Sequence, residues 1–186
     1  MDASDKKLKF KNIAISGKYA TGTTTLAKNL IKSLGWKYIN AGDIQRQYDR
    51  EHNINENKQG AIARPDEHER GIEAMTKKCL ETESDVIYEA WLAGFIAKDM
   101  SDVLKVYLFS SNEGVRIDRV VNRDHLSVDD AKKHIRQRED ENIKKWKKLY
   151  GDHDFWDEKN FDIVIDTYSS GPMETFGKVL DKLNKA

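Results

Sequence analysis

The 186-residue chain has one cysteine, Cys79, and two prolines, Pro65 and Pro172. A single thiol excludes an internal disulfide framework and any zinc site built on a cysteine cluster. With so little proline, and no repeat or low-complexity tract, the chain offers no candidate linker. One domain is expected over 1–186, with residues 1–10 as its polar N-terminal extension. Net charge is also missing: 32 basic residues balance 32 acidic ones. No global basic field therefore points to a nucleic-acid partner, and any phosphate recognition must be local. No apolar run approaches the roughly 20 residues of a membrane span. The opening "MDASDKKLKFK" is charged and leads into a strand instead of an apolar signal core. These absences predict a cytoplasmic protein without a membrane partner. The histidines at 52, 68, 125, 134 and 153 lack metal-ligand spacing, so no zinc site is assigned.

What is present is an alternation of short β-branched runs with longer amphipathic segments, as strand–helix units on a parallel sheet require. Candidate strands are "NIAIS" (12–16), "KYIN" (37–40), "DVIYE" (85–89), "VLKVYLF" (103–109) and "FDIVID" (161–166). Leu26, Leu30, Ile31 and Leu34 form an apolar stripe that Gly35 ends. "SVDDAKKHIRQREDENIKKWKKLYG" reads as a long polar helix, opened by a Ser127 cap and closed at Gly151. It is expected to bury little, and with its neighbours it forms a candidate lid over about 111–150. The acidic, aromatic "DHDFWDE" (152–158) reads as a surface loop without chemistry.

The most informative stretch lacks something too. "ISGKYATGTTTLAKNL" (15–30) follows the phosphate-loop pattern G-x-x-x-x-G-K-[ST] through Gly17, Gly22 and Thr24, but Thr23 occupies the lysine position. The preceding strand and the following helical stripe supply the context that gives such a match meaning. Glycines let successive backbone N–H groups face phosphate oxygens, and the helix N-terminus adds partial positive charge. Neither contribution needs the lysine. The Thr24 hydroxyl is suited to a magnesium ion, but phosphoryl transfer would lack one cation unless another element supplies it.

After the loop, "GWKYINAGDIQRQ" resembles the cytidylate kinase family, above all its archaeal-type branch, with G-x-x-G-T-G-T-T-T and then L-G-x-x-x-x-S-G-D-I-F-R. "VIYEAWLAGF", "GVRIDRVVNRD", "IRQREDENIKKWKKLYG" and "FDIVIDT" continue the likeness, from about Asn12 to about Leu183. The resemblance implies a three-layer α/β P-loop kinase fold: a five-stranded parallel sheet, helices on both faces and a helical lid. It also implies that threonine in the lysine slot belongs to working kinases. The expected activity is transfer of phosphate from ATP or GTP, with Mg2+, to a nucleoside monophosphate, CMP or dCMP. A monomer is expected, with a dimer as the alternative, because Lys18 occupies a loop position from which some phosphate-loop ATPases reach a partner's nucleotide.

The expected donor site comprises Gly17, Lys18, Thr21, Gly22, Thr23, Thr24 and Thr25. Arg46, following strand 2, is placed to grip an acceptor phosphate, with Asp43 beside it in the G-D-I motif. Glu89 ends the third strand, in the crevice zone of an open sheet, and joins Thr24 as a metal-site candidate. Arg116, Arg119 and Arg123 share one helical stripe, and Arg138, Asn142 and Lys145 another. Of these, Arg119, Arg123 and Arg138 are the expected catalytic cations. Trp91 departs from the family's E-G-R-L arginine, Gln45 from its phenylalanine, and Ile143 and Lys145 from lid arginines. Arg64 is a candidate substitute across the cleft. These departures leave two other readings: a nucleotide-binding protein with weak or no turnover, and a kinase for a different small acceptor.

Overall fold

The computed structural model of the chain describes residues 8–55 and 60–184. Five strands, β1 (Asn12–Gly17), β2 (Lys37–Asn40), β3 (Val86–Glu89), β4 (Val103–Phe109) and β5 (Ile163–Asp166), form one parallel sheet in the order β2-β3-β1-β4-β5. Each coincides with a β-branched run. All six β1 residues are buried, as a central parallel strand covered on both faces must be. Its register pairs Ile15 with Glu89 and Gly17 with Leu108. Glu89 and the loop glycine are therefore delivered to the same C-terminal edge, where ligands bind in open sheets of this kind.

Around the sheet lie α1 (Thr23–Leu34), α2 (Ala41–Glu51), α3 (Asp66–Thr82), the single-turn α4 (Ala93–Ile96), α5 (Glu113–Asp124), α6 (Val128–Tyr150) and α7 (Pro172–Asn184). Strand alternation divides the core. Ile13 and Ile15 pack with Leu26 and Leu30 of α1 and Val179 of α7, whereas Ala14 joins Ile72 and Leu80 of α3. Phe10 and Leu8 join the first of these clusters. The rest of the expected extension, residues 1–7, lies outside the described residues. Asn12 is fully buried. Its amide Nδ2 donates to the Leu80 carbonyl at 3.1 Å and the Glu83 carbonyl at 2.7 Å, and its Oδ1 accepts from the Val86 N–H at 3.0 Å.

Helix α6 has the expected boundaries: the Ser127 hydroxyl accepts from the Asp130 N–H at 3.1 Å, and the Gly151 N–H closes on the Lys147 carbonyl. It buries more than its composition suggests, including Ala131, Ile135, Asn142, Lys145 and Trp146. The segment after it is not the surface loop expected from its acids. Phe155 and Trp156 turn inward, 1% and 8% exposed, and pack with Leu92, Trp91 and Trp146. Burying these large rings outweighs the polarity of their neighbours, which remain at the surface. Among the described residues no helix is long and apolar enough to cross a membrane.

Candidate active site

Residues 18–22 join β1 to α1, and residues 17–25 other than Thr21 line one end of a cavity of about 890 Å³. A Cβ on Gly17 would overlap the Thr21 hydroxyl and come within 2.8 Å of the Leu108 carbonyl, so the chain turns there only because glycine leaves room. Gly22 has φ +97°, a left-handed conformation that side chains disfavour. It precedes α1, whose first turn has neither a side-chain cap nor an acidic residue. The first N–H groups of the helix thus lack a side-chain acceptor and form a ready anion site.

Helix α5 fixes the direction of the loop backbone. Arg116 Nε donates to the Tyr19 carbonyl at 2.9 Å and Arg119 Nη1 to the Ala20 carbonyl at 3.1 Å. In a trans peptide the N–H opposes the C=O, so these bonds turn the N–H groups of Ala20 and Thr21 away from α5. Thr21 then closes a turn, its hydroxyl donating to the Lys18 carbonyl at 2.9 Å. Lys18 itself lies over the Trp156 ring, 5.0 Å from its centroid.

Glu89 gathers the threonines. Its Oε1 accepts from the Thr23 and Thr24 hydroxyls, both at 2.7 Å, while Oε2 accepts from the Tyr38 hydroxyl and from Asn40 Nδ2 at 3.2 Å. Tyr38 and Asn40 both sit on β2, two residues apart, and the sequence reading missed them. Their signal was the period-2 spacing of polar groups toward the end of a strand. Burial, reinforced by the Glu89 charge, pushes the Tyr38 pKa well above its ordinary value, so the phenol remains a donor to the carboxylate. Thr24 Oγ1 and Glu89 Oε1 are hard oxygen donors of the kind magnesium takes together with phosphate oxygens and water. Among the described residues no group of three or more His, Cys, Asp or Glu side chains could hold a metal alone. The donor set therefore fits an ion that arrives with a nucleotide.

The arginines of α5 and α6 converge on the loop. Arg119 lies near Gly22 and also donates to the Thr167 hydroxyl at 3.1 Å and carbonyl at 3.0 Å. Arg123 pairs with Asp124 at 2.8 Å, and both Arg123 and Arg138 line the cavity. Arg116 instead pairs with Glu139, linking α5 to α6.

Beyond Glu89, which lines the cavity beside the loop, Arg46, Arg64 and Trp91 line the other end, whereas Thr21, Asp43 and Lys145 are not part of the lining. Arg46 is 41% exposed and meets Asp43 at 2.6 Å. Arg64 is buried and held bidentately by Asp49, at 2.8 and 2.7 Å, with Glu69 at 3.5 Å. Lys145 is turned toward the Arg64 carbonyl and Asp66, at 2.5 and 2.8 Å. Hydrogen bonds from Lys145 and then Lys148 hold the Asp66 pKa down at about 2. Trp91 packs edge-on against Trp146, centroids 5.6 Å apart. Two acids absent from the sequence expectation complete this end. Burial raises the pKa of Glu69, and pushes that of Glu73 up to about 7.

The sequence profile of the Cytidylate kinase-like family matches residues 12–169. The chain belongs to this family. It is 35% identical over 169 residues to cytidylate kinase of Thermococcus sibiricus, covering 90% of this chain and 84% of that one. Cytidylate kinase of Pyrococcus abyssi is 35% identical over 169 residues, with 90% of each chain covered. Among solved structures, a gluconokinase from Sinorhizobium meliloti superposes with a TM-score of 0.60 at 12% identity, covering 94% of this chain and 92% of that one. Shikimate kinase from Acinetobacter baumannii gives 0.55 at 17% identity, covering 92% of each. These likenesses establish the P-loop kinase architecture for this cytidylate kinase-like chain.

Proposed function

We propose that the chain is a nucleoside monophosphate kinase that passes the terminal phosphoryl group of ATP, or GTP, to CMP or dCMP. The observation that carries this reading is Glu89, which ties the two loop hydroxyls to the β2 edge at the junction of the cavity's two ends. The loop N–H groups and the α1 terminus hold the donor phosphates, with Gly17, Lys18, Thr21, Gly22, Thr23, Thr24 and Thr25 forming the donor site. The acceptor's phosphate oxygen attacks phosphorus as the bond to the leaving diphosphate oxygen breaks in line. Arg119, Arg123 and Arg138 stabilise the charge that develops, which replaces the cation missing from the loop. Magnesium, when bound beside Thr24 and Glu89, neutralises phosphate charge. The helical region over about 111–150 serves as the lid of a single kinase domain.

Magnitudes decide between the acceptor-side arginines. An exposed ion pair such as Arg46–Asp43 is worth about 0–1 kcal/mol and yields readily to a phosphate. Breaking the buried Arg64–Asp49 pair would cost about 3–5 kcal/mol. Arg46 is thus the phosphate ligand, with Asp43 orienting it, and Arg64, braced from outside the cavity by Lys145, shapes the pocket floor. The same commitment of Arg64, together with tryptophan at position 91, favours a second reading, nucleotide binding with little turnover. An acceptor screen with ATP and magnesium, reading ADP release across the common mononucleotides, tests both. Turnover with CMP or dCMP is expected. Release with none of them points to the binding protein, and release only with a non-nucleotide points to another small acceptor.

A further inference from the structure

Helix α3 turns one face to the cavity, through Glu69, Ile72, Glu73 and Thr76, the three- and four-residue spacing of a single helical stripe. Acids have no task in holding a phosphate, which they repel. Glu69 is shared by Arg64 at 3.5 Å and Gln45 Nε2 at 3.3 Å. Glu73, one turn on, has no ion pair among the described residues, and the titratable or charged groups facing it are Tyr150 of α6 and, on α3 itself, Glu69 and Arg70. From α6, Asn142 lines the cavity and is 8% exposed. Its Nδ2 donates to the Arg138 carbonyl at 2.7 Å, which leaves Oδ1 without a donor among the described residues. Trp146, one turn after Asn142, turns its indole toward Glu69, so this part of α6 stands against that face of α3.

The spare polar capacity of this wall is for accepting, since the Gln45 amide and the Trp146 indole are already turned to Glu69. A ligand that fits it brings donors. We propose that Glu73, with Glu69 and Asn142, reads the base of the acceptor nucleotide, selecting one that carries an exocyclic amine beside an unprotonated ring nitrogen. Cytosine presents that edge at N4 and N3, and adenine presents it at N6 and N1 on a larger ring. The amine hydrogens go to carboxyl and amide oxygens, and the ring nitrogen accepts the Glu73 proton. Burial keeps that proton in place, pushing the Glu73 pKa up to about 7. Uracil reverses the edge: O4 would meet three acceptors with one proton between them, leaving buried groups unpaired. Trp91 and Leu92 in the same lining offer apolar surface to the ring face, as base pockets commonly do. The role rests on the nucleoside monophosphate kinase reading above and assigns the choice of base within it.

The test is calorimetric titration of three probes: CMP, UMP and the monophosphate of the pyrimidin-2-one riboside, which differs from CMP only in lacking the amine. At about pH 6.5, wild type should bind CMP about tenfold or more tightly than either of the others, since each leaves buried acceptors unpaired. Glu73→Ala should bring the three within about threefold of one another while ATP affinity stays within about twofold, which shows that the fold and the donor site survive. Glu73→Gln, which offers a donor and an acceptor at every pH, should keep most of the preference. Between about pH 6 and 8.5, the CMP affinity of wild type divided by that of Glu73→Gln should fall about fivefold or more as the proton leaves, a ratio in which titration of the acceptor's own phosphate cancels. A preference for CMP that survives Glu73→Ala, or a ratio flat with pH, would overturn the base-reading role and leave the kinase reading standing. Binding of no mononucleotide by wild type would instead remove the kinase reading, and this role with it.

Discussion

The two ends of the cavity are built on opposite electrostatic plans. The loop end is made of glycines, hydroxyls and backbone N–H groups, with cations brought from α5 and α6. The other end, proposed for the acceptor, is dense in charge, yet buried Arg64 is already matched by Asp49 and Glu69, and Lys145 beside it by Asp66. On the proposed assignment, donor recognition would depend on backbone direction, which composition barely affects once the glycines are in place, and acceptor recognition on which few groups remain exchangeable. The departures from the family pattern, Gln45, Trp91 and Lys145, fall at this second end or beside it.

The sharpest break of the contrast is at Glu89, which belongs to both ends. Glu89→Ala should lower kcat/KM for CMP by about a thousandfold, because it frees two loop hydroxyls and removes a magnesium-side oxygen together. A loss below tenfold in steady-state assays would show that the ends work independently. Next come the two arginines. Arg64→Ala should depress the melting temperature by roughly 10 °C, leaving Asp49 as an uncompensated buried charge. Arg46→Ala should leave melting nearly unchanged and raise KM for CMP by about tenfold to a hundredfold. Calorimetric melting beside acceptor titrations separates them, and the reverse pattern would exchange their roles.

Trp91→Arg is expected to act more modestly. Removing the indole from its contacts with Trp146 and Trp156 should cost about 1–3 kcal/mol, read in denaturant titrations. A gain of tenfold or more in CMP turnover with no loss of stability would show that packing is not its function. The smallest effect concerns Glu73. Its pKa rises from 4.5 to about 7 on folding, with burial as the main cause. Between those values the folded state holds a proton that the unfolded chain has released, so stability falls as pH rises through this window and levels off above about 7. The difference in melting temperature between wild type and Glu73→Gln should carry this slope, and a flat difference from pH 5 to 7.5 would place Glu73 in contact with water.

Most of the architecture was legible because its signals are local. Five β-branched runs became the five strands, and Gly35, Ser127 and Gly151 bounded helices through cap chemistry that acts within one turn. Helix α3 was harder to see, since its inward face mixes Glu69, Thr76 and Cys79 with Ile72 and Leu80 and so weakens the apolar period. The loop glycines and the arginine stripe of α5 were readable from spacing. Asp49 and Glu69, which neutralise Arg64, were not, nor was the turning of Phe155 and Trp156 beneath Trp91. Phe155 and Trp156 lie far from Trp91 in sequence. Glu69 is five residues from Arg64 and Asp49 fifteen, but neither acid shares a helix or strand with it, so no spacing rule encodes which acid meets which base.

Asn12 gives the site its phase. Its side chain mimics a peptide unit, accepting from the first N–H of β3 and donating to the carbonyls that end α3. β3 has only four residues, too few to hold alignment by strand bonds alone. Sliding it by one position would send every side chain to the other face of the sheet, carrying Glu89 from the nucleotide crevice into the hydrocarbon interior. An amide at the far end of the sheet, about 10 Å of strand away, thus acts as the timing mark for the carboxylate. A drifting mutant of Asn12 would lose catalysis through misalignment, with each residue of the site still present.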